Sequence, residues 1–184
     1  MSGLVLAMAV LGVVTLGCGD SILTLDPVQK AMRERLGPEN PAVRIGPLHR
    51  PGQPCSLCHT GSGDAPAFSV SGTVYRDNQS AVALADVTVQ LIDIQGAKFS
   101  ARTNCAGNFW LTPREFAPKW PVWVTLELGE NKIDMESPIG REASCAACHL
   151  DPPGQVSAGR VFLTDDPVVI PTITPRPCLP EELK

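Results

Sequence analysis

Two pentapeptides constrain this 184-residue chain more than anything else in it: "CSLCH" at residues 55–59 and "CAACH" at residues 145–149. They take four of the seven cysteines and two of the three histidines. Each must turn tightly enough to set two thiols and an imidazole side by side. At this composition about 0.004 copies of Cys-x-x-Cys-His are expected by chance, so two copies are a signal.

The spacing has a chemical reason. Covalent attachment of a c-type haem needs two thiols one vinyl-to-vinyl span apart, and an imidazole next to the second thiol to reach the iron. Cys55 and Cys58 with His59, and Cys145 and Cys148 with His149, are the expected attachment units for two haems, His59 and His149 being iron ligands. Other chemistries use the same pairs. A Cys₄ zinc site normally keeps its two pairs some 15–20 residues apart and leaves both histidines unexplained. A thioredoxin-like redox pair wants a βαβ setting. Structural disulfides in an exported protein are the third alternative. In the two pentapeptides the chain resembles multihaem c-type cytochromes, which implies electron transfer, redox proteins such as other cytochromes as partners, and export.

The N-terminus carries its own export signal. The apolar run "LVLAMAVLGVVTLGC" has the length of a signal-peptide core and is too short to span a bilayer as a helix. Its end, "TLGCGD", resembles the lipobox of bacterial lipoproteins, although Thr15 stands where a large aliphatic residue is usual and no basic residue precedes the run. The resemblance implies a signal peptide over residues 1–17, acylation of Cys18, and an anchored protein of the periplasm or cell surface, with the bacterial outer membrane favoured. A net charge of −4 without a Lys/Arg cluster argues against nucleic acid as a partner.

Residues 18–67 hold a short helix, a connector and the first attachment unit. "DPVQKAMRERLG" reads as a helix with Asp26 as N-cap, Pro27 at the first helical position and Gly37 past the end. The connector "PENPAVRIGPLHRPGQP" has too many prolines for helix or central strand and must wrap over something. From Phe68 the period becomes two. Phe68, Val70, Gly72 and Val74 alternate in one segment, Val87, Val89 and Leu91 in another, and Val122, Val124, Leu126 and Leu128 in a third. "KFSARTN", "NFWLT" and "NKIDM" are shorter strand candidates. The fold class expected is mainly β: a small antiparallel sandwich over residues 68–135, flanked by the two attachment segments and the N-terminal helix.

Gly72, Val74, Val87, Val89, Thr103, Gly107 and Phe109 stand at the intervals of the carboxypeptidase regulatory-like domain, a transthyretin-like β-sandwich that residues 68–128 resemble. That resemblance implies a scaffold or binding appendage and carries no catalytic residue. Residues 136–184 hold the second attachment unit, one more strand candidate, "VFLTD", and a Pro-rich tail expected to be extended or disordered. Cys105 and Cys178 are left over; an oxidising compartment lets them pair, or they stay separate thiols.

For the second axial positions, His49 is the one remaining histidine, and Met135 is the favoured thioether over Met32, which reads as helix packing. His49 is expected to cap one haem and Met135 the other, with the order open. The sequence shows no Ser/His/Asp set and no phosphate loop, so a carrier is expected rather than an enzyme. Two other readings stay open: a haem gas sensor or enzyme with an open coordination position, and a non-haem β-sandwich binding module with structural cysteines.

Overall fold

Alternation in the middle of the chain becomes six strands among the described residues: β1 Val70–Thr73, β2 Thr88–Asp93, β3 Lys98–Arg102, β4 Asn108–Leu111, β5 Val122–Leu128 and β6 Asn131–Asp134. The computed structural model describes residues 27–61, 65–150 and 157–183. The expected signal segment, Cys18 and the Asp26 cap lie outside them. Strands β1 and β4 pair antiparallel in one sheet. The second sheet is antiparallel throughout, in the order β3-β2-β5-β6. The protein is mainly β, with one α-helix, α1 Pro27–Arg35, among the described residues.

Hydrophobic burial holds the sheets in register. Val89 faces Leu126 and Leu91 faces Val124 across the β2–β5 pair, and all four are buried. They share one cluster with Val70, Phe109 and Leu111 of the smaller sheet. Burial of each such side chain contributes about 1.5–3 kcal/mol, which outweighs any strand propensity. The turn before β4 is fixed by two small residues. The Thr103 hydroxyl accepts from the Val87 N–H at 2.9 Å and donates to the Leu84 carbonyl at 2.7 Å. Gly107 has φ +73°, and a Cβ there would lie 2.5 Å from the Val74 carbonyl oxygen.

Strand β1 departs from simple alternation. Period two leaves Ser71 and Thr73 for solvent, yet all four β1 residues are buried. Chain from both flanks returns over them. The Ser71 N–H donates to the Ala143 carbonyl at 2.8 Å, and the Thr73 hydroxyl accepts from the Gly52 N–H at 2.8 Å. The polar side of β1 is thus a mounting surface whose groups are satisfied by the segments that cover them.

Among the described residues the helix spans Pro27–Arg35 and stops before Gly37, whose φ is +68°. Arg50 then ties its end to the connector, donating to the Leu36 carbonyl at 3.3 Å and the Gly37 carbonyl at 2.7 Å. The connector in turn lies on the smaller sheet: the side-chain amides of Asn104 and Asn108 donate to the Pro47 carbonyl at 2.8 and 3.2 Å.

The C-terminal segment differs from expectation in two ways. "VFLTD" makes a single parallel bridge, Phe162 beside Tyr75, with Leu163 buried, and not a full strand. The Pro-rich tail lacks a ladder, as its missing N–H groups require, but it is docked. Ile173 enters the core, Cys178 is disulfide-bonded to Cys105, and Arg176 pairs with both Asp86 and Glu182. The Arg176 guanidinium holds the Asp86 carboxyl below its usual range and brings Glu182 down to about 2.

Depressed carboxyl values stabilise the fold above the unfolded value, near 4.5 for Glu182, and that stabilisation is lost as pH falls toward about 2. Melting temperature should therefore drop between pH 4.5 and 2.5 in the wild type and drop less steeply in Arg176→Met. Parallel acid limbs for the two proteins would remove this clamp from the account.

Candidate functional site

Both pentapeptides fold the same way. Cys55–Leu57 and Cys145–Ala147 are single 3-10 turns. In the first, the N–H groups of Cys58 and His59 donate to the Cys55 carbonyl at 3.1 and 2.9 Å; in the second, Cys148 and His149 do so to the Cys145 carbonyl at 3.1 and 2.8 Å. One carbonyl accepting twice tightens the chain enough to gather two thiols and an imidazole within five residues.

The two turns are neighbours, both seated on β1. The Cys55 N–H donates to the Ser144 hydroxyl at 3.1 Å, and the Ser56 hydroxyl donates to the Glu142 carboxylate at 3.1 Å. Ser71 of β1 bridges in parallel to Ser144. Gly72 allows the second turn its approach, because a Cβ there would lie 2.9 Å from both Cβ and Sγ of Cys145. Cys55, Cys58, Cys145 and Cys148 are all free thiols. Burial pushes the Cys55 thiol up, partly offset by hydrogen bonds with Ser71 and Ser144. Burial, with the Cys55 thiol nearby, pushes Cys145 up to about 12. Redox-active Cys-x-x-Cys pairs need the opposite, a lowered thiol.

Each histidine is oriented by a backbone carbonyl. His59 Nδ1 donates to the Pro66 carbonyl at 2.9 Å, and His149 Nδ1 donates to the Gly159 carbonyl at 3.0 Å. That bond fixes the tautomer and leaves Nε2 as the nitrogen able to bind a metal. Phe68 stacks on the His59 ring with centres 3.9 Å apart. Burial holds the His59 imidazole below its usual value, which favours its neutral, ligating form.

A cleft of about 530 Å³ opens beside the first turn. His49, His59, Cys55 and Cys58 line it, together with Phe68, Trp110 and Arg33. This size and largely apolar lining with a few convergent polar groups suit a small-molecule or cofactor-sized ligand. His49 lies with its ring centre 5.7 Å from that of His59. Met135 is elsewhere: its N–H donates to the Val124 carbonyl at 2.9 Å just past β6, and it packs against the core. The disulfide joins Cys105 and Cys178 with Cα atoms 4.9 Å apart, away from the two turns in sequence and bonding. Among the described residues no group of three or more His, Cys, Asp or Glu is gathered to hold a metal ion together.

Sequence reasoning missed the supporting residues. Ser71, Ser144 and Phe68 read as ordinary strand or loop positions, and the carbonyls of Pro66 and Gly159 have no side-chain signature at all. Comparison with known proteins adds no family: no family model matches the chain, and no curated protein or solved structure matches it.

Proposed function

We propose that this chain is an exported dihaem c-type cytochrome that transfers electrons, with the two sheets as a transthyretin-like β-sandwich scaffold. One observation carries the reading: both Cys-x-x-Cys-His units adopt the same turn, and both histidines commit Nδ1 to a backbone carbonyl so that Nε2 is left to ligate. Cys55 and Cys58 would hold one haem and Cys145 and Cys148 the other by thioether bonds, with His59 and His149 as iron ligands. Bound haem supplies a one-electron couple. The protein's own part is to fix the imidazoles, wall off water with Phe68, Trp110 and the connector, and keep the two units side by side on β1. On this reading the chain is a carrier, not an enzyme. It would be anchored through acylated Cys18 at the periplasm or cell surface, on the outer membrane by preference, and would exchange electrons with redox proteins such as other cytochromes.

Expression alongside cytochrome c maturation machinery tests this directly. Intact mass should show two covalent haem additions, and the reduced-minus-oxidised spectrum should show a c-type signature. Replacing Cys55 and Cys58 by alanine should remove one addition, and Cys145 and Cys148 the other. Colourless protein of bare polypeptide mass would rule the proposal out.

A further inference from the structure

The chain has three histidines, and two of them meet in one cleft. His49 comes from the Pro-rich connector and His59 from the first turn, with ring centres 5.7 Å apart and planes inclined by 37°. Each ring has Nδ1 engaged by a backbone carbonyl, that of Gly46 for His49 and that of Pro66 for His59. Each therefore keeps Nε2 for a metal. Two imidazoles bound on opposite sides of one metal, at about 2 Å per bond, have ring centres roughly 6 Å apart. The observed pair stands close to that separation.

The placement of His49 is built by the fold and does not depend on a loose loop. The Asn108 side chain on β4 donates to the His49 carbonyl at 3.1 Å and to the Pro47 carbonyl at 3.2 Å. On the next residue, Arg50 grips the end of α1 and also donates to Gln53 at 2.7 Å. Strand, helix end and connector together hold the ring beside His59 of the first turn.

We infer that His49 is the second iron ligand of the haem attached through Cys55 and Cys58 and ligated by His59, making the first haem bis-imidazole and the second haem not. The inference rests on the attachment reading above and settles which unit His49 serves. His149 is oriented by Gly159 in the second unit, and no histidine remains in the sequence to face it. Since a thioether raises an iron's potential relative to imidazole, exchanging His49 for methionine would raise the potential of the first unit.

Two single-unit forms of the matured protein separate the possibilities. Cys145→Ala with Cys148→Ala keeps the first unit; Cys55→Ala with Cys58→Ala keeps the second. Intact mass first establishes one covalent haem in each form, and absence of haem from both overturns the attachment reading and this inference with it. Electron paramagnetic resonance, the visible spectrum and the midpoint potential then report the ligands. In the first-unit form the iron should be low-spin; adding His49→Ala should turn it high-spin and open it to carbon monoxide with the single haem addition retained. His49→Met should restore the low-spin state with a raised potential. The second-unit form should not respond to His49→Ala. A first-unit form that stays low-spin without His49, or a second-unit form whose spin state changes, would overturn the assignment.

Discussion

Valine in place of Gly72 should lower the melting temperature by roughly 5–10 °C, the consequence of about 2–3 kcal/mol of overpacking in a chain of this size. The first added atom already meets trouble: a Cβ at this position would lie 2.9 Å from Cβ and Sγ of Cys145 and 2.9 Å from Cε1 of Phe109. Neither neighbour can yield easily. Phe109 is a buried core residue, and the Cys145 turn is hydrogen-bonded through Ser144 and Ala143 to the first turn and to β1. Alanine should show a smaller loss in the same direction. Differential scanning calorimetry of the glycine, alanine and valine forms checks the series. Equal melting of all three would mean that Cys145 does not pack on β1.

Removing the Cys105–Cys178 disulfide should have an effect of similar size. The link closes a loop across a sequence separation of 73 residues, and chain entropy in the unfolded state makes such a bond worth about 2–5 kcal/mol. Its position adds a local consequence. Cys105 sits in the turn whose N–H groups at Ala106 and Asn108 donate to the Asn104 side chain, and its own N–H donates to Glu182 of the tail at 3.0 Å. Without the bond, Ile173 and Arg176 still hold the start of the tail, so the expected phenotype is a lowered melting temperature together with early proteolytic cleavage beyond Pro177. Cys105→Ser with Cys178→Ser, and the wild type under reducing conditions, should agree. Unchanged melting in both would count against the link.

Several features could be read from residues alone because their physics is local. The apolar faces Val89–Leu91 and Val122–Val124–Leu126 follow from alternation, and all six strand segments fall where period two and turn residues place them. Gly37 ends the helix for reasons contained within one turn of chain. What alternation hides is anything covered from outside the sheet. Ser71 and Thr73 look like a solvent face and are buried under segments that are distant in sequence. "VFLTD" has the pattern of a strand but finds one bridging partner, because Tyr75 lies at the end of the ordered ladder. At the site, the thiols and imidazoles were legible as a spacing, since their chemistry lies within five residues. The meeting of His49 with His59 was not, since a Pro-rich connector specifies what it cannot form and leaves its path to the surface beneath it.

Placing the two Cys-x-x-Cys-His turns side by side has a consequence for time. The Cys55 N–H finds the Ser144 hydroxyl over a separation of 89 residues, and both turns rest on β1. Contacts so far apart form late, because the intervening chain must be closed into a loop before anything is gained. In a newly made chain both pentapeptides therefore pass through an interval as open, solvated segments with ordinary thiols, before burial pushes Cys145 up to about 12. On the attachment reading, slow closure of this topology is the clock against which covalent ligation must run.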